Sequence, residues 1–169
     1  MASRKIGFIL LGMTLLLAAC EGNTASPPTQ NLQPVTSQNV QIVTGQLVYV
    51  PAYSEIFYGS PVDRLPLTVT LAIHNSDPEN PIIVSSVRYY DTDGNLVRDY
   101  VEQSAQVPPL ATVGFVVEDT AGGWGANFLV EWGAEQPVYE PVIEAVMVSR
   151  RGTEGVSFIS DGRVLSETR

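Results

Sequence analysis

The sequence predicts an all-β domain, an antiparallel immunoglobulin-like sandwich of about seven or eight strands. Three observations predict it. Apolar and polar residues alternate with period two, most cleanly over Leu67–His74, where Leu67, Val69, Leu71 and Ile73 share one face and Thr68, Thr70, Ala72 and His74 the other. Short β-prone segments recur at intervals of about 10–15 residues, separated by Gly, Pro, Asn and Asp clusters. No segment carries a convincing amphipathic helical period. Two antiparallel sheets packed on their apolar faces satisfy this pattern, with a closed barrel as the alternative. There is no internal repeat.

Residues 1–19 have the three parts of a secretory signal: a basic start at Arg4-Lys5, an apolar run from Ile6 to Leu17, and small residues Ala18-Ala19 before a cysteine. The apolar run is much shorter than the roughly 20 residues that cross a bilayer as a helix. Leu17-Ala18-Ala19-Cys20 has the order of a lipobox, the processing and acylation signal of a bacterial lipoprotein. Cys20 is the single cysteine, so no internal disulfide can form. Acylation of its sulfur and of the freed amine, palmitate included, accounts for its presence. Residues 20–44 are rich in Ser, Thr, Pro, Gln and Asn and lack periodicity, the composition of a flexible tether.

The folded domain is expected over 45–169. Gln46–Val50 opens it, and after Pro51 the β-prone stretch Tyr53–Tyr58 follows. Leu67–His74 comes next, then a turn from Asn75 to Pro81, then Ile82–Tyr90. Asp91-Thr92-Asp93-Gly94-Asn95 turns the chain into Leu96–Val101, which makes a hairpin. Pro108-Pro109 separates it from Val113–Val117. A glycine loop, Ala121–Gly125, leads to Asn127–Trp132, where Phe128, Val130 and Trp132 fall on one side. The β-branched residues of Val142–Val148 favour a strand over a short helix. Gly155–Ser160, an Asp161-Gly162 turn and Val164-Leu165 close the domain.

From Cys20 onward the chain holds 18 Asp and Glu against 7 Arg and no Lys, a formal charge of −11. Such a surface repels nucleic acid and anionic headgroups, so membrane attachment falls to the acyl chains on Cys20. Glu21 stands where an aspartate marks inner-membrane retention in enteric bacteria, which leans toward the outer membrane.

Three stretches resemble the bacterial domain-of-unknown-function 3124 family, often found as small exported lipoproteins. They are Tyr89-Tyr90-Asp91-Thr92-Asp93-Gly94, Gly125–Trp132 and Ile143-Glu144-Ala145-Val146-Met147. Val48–Ser54 and Gly155–Phe158 fit as well, and the likeness spans Gly45 to Leu165. The family has no assigned activity. The resemblance implies one compact domain and carries over no functional residue.

Few residues carry chemistry. His74 is the single histidine, and as a base it needs a nucleophile and an orienting acid; its place on the polar side of a strand makes it structural. One His and one mature methionine, Met147, are too few for a zinc or copper site. Asp91–Asn95 begins like a calcium loop, but its glycine comes fourth instead of sixth, and a tight turn needs the same residues. Trp124, among three glycines, either contacts a sugar or partner or folds back to cap the core. Glu118-Asp119 and Glu131 read as solvated surface rather than a glycosidase pair. The expectation is a non-enzymatic envelope lipoprotein without cofactor or metal, held to the membrane by lipid on Cys20 and serving as an interaction or accessory module. Binding of a small ligand, carbohydrate for example, through the end loops is the alternative. A deep aromatic pocket favours the ligand, and a flat exposed apolar patch favours a protein partner.

Overall fold

The computed structural model describes residues 32–35, 40–117, 121–151 and 154–168. The expected signal segment, Cys20 and the Glu118-Asp119 pair lie outside them. In chain order the strands are β1 (Gln33–Pro34), β2 (Thr44–Pro51), β3 (Glu55–Phe57), β4 (Arg64–Pro66), β5 (Thr68–His74), β6 (Ile82–Tyr90) and β7 (Leu96–Asp99). β8 (Ala105–Val107), β9 (Thr112–Val117), β10 (Asn127–Ala134), β11 (Val142–Arg151), β12 (Glu154–Asp161) and β13 (Arg163–Thr168) complete the set. Eight of these, β2, β5, β6 and β9 to β13, have six or more residues, and they account for the seven or eight strands the sequence predicts. The other five are two to four residues long and extend or cap the sheets.

All pairings are antiparallel. One sheet runs β1-β8-β6-β10-β2-β13, with β7 also on β6; the second runs β12-β11-β5-β9; β3 and β4 form a separate hairpin. The two larger sheets pack face to face on one core. Val48, Val50, Val87, Tyr89, Phe128, Val130 and Trp132 of the first meet Val69, Leu71, Ile73, Phe115, Ala145 and Met147 of the second. Tyr100 closes the seam: its ring lies 5.6 Å from Phe115 and 6.0 Å from Phe128. The sheets stay open, so the sandwich forms and not the barrel.

Two departures from plain alternation have a physical reason. Along β6 the inward residues are Tyr89 and Val87, then Val84 and Ile82, because the β6–β10 register shifts between Glu131 and Trp132 and leaves Ser85 over. That bulge keeps apolar residues inside where strict alternation would turn Ser85 inward. The Asp161-Gly162 turn is not a hairpin but a corner, where the chain passes from β12 in one sheet to β13 in the other. Gly162 N donates to Ile143 O at 2.8 Å there, and a Cβ at Gly162 would lie 2.6 Å from Val48 Cγ1.

Part of the expected tether is seated on the domain. Gln33 pairs with Gln106 and Pro34 with Ala105, and Val43 N donates to Ala134 O at 2.9 Å. Ile42 crosses the outer face of β10 over Gly133, where a Cβ would meet Ile42 Cγ2 at 2.7 Å. Ile83, paired with Gly133 on the same outer face, is buried although it is turned away from the core.

Candidate functional site

The sheet register defines two ends. Thr44 faces Ala134 at one end of the first sheet, and Pro51 faces Asn127 at the other. The chain enters at the first end, through Leu32–Val35 and Val40–Val43, so the second end is distal to the tether. Eight residues of β2 at about 3.3 Å each put roughly 25 Å between the ends.

The distal end is built by three loops locked to one another. Ser54, fully buried, follows β2 and grips the glycine loop: its backbone N–H donates to Gly123 O at 3.1 Å, and its hydroxyl accepts from Gly123 N at 2.8 Å. Thr92, in the β6–β7 turn, holds the same loop from the other side. Its backbone N–H donates to Gly122 O at 2.8 Å, and its Oγ1 accepts from Gly125 N at 3.0 Å. Gly122 and Gly123 are required: a Cβ at Gly122 would fall 1.9 Å from Tyr89 Oη, and Gly123 has φ 78°.

Pinned this way, the loop presents Trp124 half-exposed, at 49%. It neither caps the core nor stands alone. Its ring lies 5.8 Å from Phe57 at 54°, and Phe57 is 46% exposed. Arg64 covers the Phe57 ring, its guanidinium carbon 3.6 Å from the centroid, while its Nε lies 3.4 Å from Glu55 Oε1. Tyr58 and Val62, in the β3–β4 turn, add exposed apolar surface beside them. Ser60 shapes that turn, donating from Oγ to Asp63 Oδ2 at 2.7 Å. The result is an exposed aromatic and apolar patch with one paired cation on it.

The other sequence candidates lie elsewhere. His74 sits on the outer face of the second sheet, its Nδ1 2.9 Å from Thr112 Oγ1 and its Nε2 3.7 Å from Glu144 Oε1. A hydroxyl, an imidazole and a carboxylate thus line up across β9, β5 and β11. Thr112 faces His74 directly, and Glu144, opposite Ala72, reaches it diagonally on an open sheet face, which is how polar surface side chains meet in any antiparallel sheet. The Asp91 carboxylate is turned onto its own loop. Oδ1 accepts from Asp93 N and Asn95 N at 2.9 and 2.8 Å, and Oδ2 accepts from Asn95 Nδ2 at 3.0 Å. These bonds, the side chain of Asn95 first, hold its pKa below the ordinary carboxylate value. Gly94, at φ 83°, completes a tight turn.

At the entry end, Asp77 does comparable structural work. Oδ1 accepts from Glu79 N and Asn80 N, and Oδ2 from Tyr139 N at 3.1 Å. The bond from Glu79 leads in lowering its pKa, with Asn80 and Tyr139 adding to it against desolvation. Asn75 beside it donates to Val107 O and Pro108 O, so one buried polar cluster joins three loops.

A cavity of about 370 Å³ lies on the outer face of the first sheet, near the entry end. Gly45 and Gly133, paired across β2 and β10, lie at its base, and Glu131 lies on its rim. The sequence singles out Trp124 as a contact candidate and reads Glu131 as solvated surface; it does not point to Phe57, Arg64, Ser54 or this cavity. The stretch Tyr53–Tyr58 reads only as β-prone, and the sequence does not show that Gly45 of β2 and Gly133 of β10 meet.

A family model described as "Protein of unknown function (DUF3124)" matches residues 45–165. The chain belongs to this family. Within its boundaries lie both the aromatic end and the base of the cavity, whereas Val40 and Ile42 of the tether precede it. No curated protein matches the chain. Among solved structures, the crystal structure of Thermotoga maritima 1070 matches with 11% identity and a TM-score of 0.43, covering 70% of this chain and 92% of that one.

Proposed function

We propose that this member of the DUF3124 family is a bacterial cell-envelope lipoprotein, anchored by lipid on Cys20, whose sandwich is a non-enzymatic interaction module. The observation that carries this is the position of Phe57 and Trp124. They are exposed together at the end of the domain opposite the one where the chain enters. Between Cys20 and the seated Leu32 lie about 12 residues, a reach of at most ~40 Å. An anchor on Cys20 therefore joins the domain at its entry end, and the aromatic end lies away from that attachment, free for a partner. The entry-end loops carry Asp77, Glu79, Glu135 and Glu140, so attraction to anionic headgroups adds nothing to the anchor. Glu21 favours the outer membrane.

The partner best suited to an exposed apolar patch is an envelope protein, with Trp124 and Phe57 as its buried anchors. A carbohydrate is the second reading, favoured by the charged Arg64 and Glu55 beside the rings, which supply hydrogen bonds next to a stacking face. Pull-down of the anchored protein from its native envelope, wild type against Phe57→Ala and Trp124→Ala, tests the first. A protein captured by the wild type and lost by both variants supports it, and capture undiminished in either variant sinks it. For the second, indole fluorescence is titrated with envelope oligosaccharide. A response that Trp124→Ala abolishes supports sugar binding, and no response removes it.

A further inference from the structure

We infer that the cavity on the outer face of the first sheet is a second binding site, for a small organic ammonium compound with a compact apolar body. Its base is bare because Gly45 and Gly133 face each other across the ladder, so no side chain stands between them. Neither can take a Cβ in place: at Gly45 it would lie 2.6 Å from Trp132 O, and at Gly133 2.7 Å from Ile42 Cγ2. Ile42 and Ile83 wall one side and Leu47 the other, which suits an apolar body. About 370 Å³ is at the small end of ligand cavities, so the ligand is on the order of one ring and a short chain.

The polar groups select the charge. Glu131 is the one ionisable side chain on the lining, and no Lys or Arg is there to hold an anion. Its carboxylate takes no hydrogen bond or ion pair among the described residues; only its backbone carbonyl is used, accepting from Ser85 Oγ at 3.2 Å. Ser85, Ser104 and Ser166 line the cavity as well and supply hydroxyl oxygens that accept from an ammonium group. The Glu131 carboxylate is exposed and solvated; its charge repels an anionic ligand, does nothing for a neutral one and attracts a cation.

Titration calorimetry on the mature acylated protein in non-ionic detergent, against matched micelle blanks, tests this with three probes of one shape: phenethylammonium, 2-phenylethanol and phenylacetate. Phenethylammonium is expected to bind, with the alcohol at least about tenfold weaker and the acid silent. Glu131→Gln should bring the ammonium down to the level of the alcohol while leaving the unfolding midpoint unchanged. Ser166→Trp, on the exposed edge strand β13, should block the cavity to all three. Phe57→Ala and Trp124→Ala should leave this binding intact, since the aromatic end is separate. The inference is overturned if no probe binds, if the three bind alike, or if Glu131→Gln binds the ammonium as wild type does.

Discussion

Ser54 and Gly123, 69 residues apart, bond to each other through both backbone and side chain. Ser54 N donates to Gly123 O at 3.1 Å, Gly123 N donates to Ser54 Oγ at 2.8 Å, and that hydroxyl also lies 3.2 Å from Gly123 O. The loop that presents Trp124 therefore rests on a buried hydroxyl rather than on its own sequence. Ser54→Ala leaves the Gly123 N–H without that acceptor at a partly buried site. The expected cost is about 1–3 kcal/mol in chemical denaturation. Trp124 fluorescence should also broaden and quench more readily as the loop loosens. A variant as stable as wild type, with unchanged quenching, would show that the backbone bond alone holds the loop.

Asp77 gives the fold a defined acid limit. Backbone donors from Glu79, Asn80 and Tyr139 hold its folded pKa below the ordinary 3.8. For a depressed carboxylate the folded state binds fewer protons than the unfolded one. Its contribution to stability is complete above the unfolded pKa and is lost as pH falls through the folded one. Wild-type stability should therefore decline below about pH 4, and Asp77→Asn should start lower and decline less steeply. Thermal melts at pH 7, 4, 3 and 2.5 check the difference in slope; parallel curves would remove Asp77 from the account.

The fold was legible because burial imposes period two on the central strands, as in β2, β5 and β11, whereas β13 is exposed throughout. What escaped was whatever depends on two segments meeting. Val84 and Ile82 break step with Val87 and Tyr89, and only the register against Glu131 and Trp132 shows that Ser85 is a bulge. Asp161-Gly162 has the composition of a hairpin turn, and nothing local distinguishes a hairpin from a corner between sheets. Trp124 stood out because a lone aromatic among glycines breaks the pattern. Phe57 and Arg64 did not, because their role arises from a hairpin that brings them onto the same loop end.

The corner can be tested directly. A Cβ at Gly162 would meet Val48 Cγ1 at 2.6 Å and Ile143 O at 2.8 Å, and the second of these is backbone that cannot swing away. Gly162→Ala should cost about 1–3 kcal/mol as overpacking. Gly155→Ala, at the opposite end of β12, meets only Ser149 O at 3.6 Å, an ordinary contact, and should be within ~0.5 kcal/mol of wild type. Urea midpoints of the pair give the comparison; equal values would mean that β12 and β13 shift freely at the corner.

The proposed anchor rests on Cys20. Cys20→Ser should abolish acylation and leave the precursor unprocessed by lipoprotein signal peptidase, as read by metabolic labelling with palmitate and by gel mobility. Processing of the variant to wild-type size would replace the lipoprotein proposal with an ordinary secretory signal.

The two tryptophans separate folding from contact. Trp132 is 3% exposed and stands in line with Phe128 and Val130 in the core, so Trp132→Ala should cost roughly 3–5 kcal/mol and can prevent folding. Its indole Nε1 finds no acceptor among the described residues, so Trp132→Phe loses area but no hydrogen bond and should be the milder change. Trp124 is half in solvent, and Phe57, its one ring neighbour among the described residues, is half in solvent too. Trp124→Ala should therefore cost less than about 1.5 kcal/mol, and Phe57→Ala a similar amount. A double-mutant cycle between the two should give a coupling of about 0.5–1.5 kcal/mol, the worth of an aromatic pair beyond its area. If the partner captured from the envelope is lost in both single variants while each stays folded, the rings serve contact. Should Trp124→Ala destabilise as much as Trp132→Ala, the ring belongs to the core and the distal patch is not a docking surface.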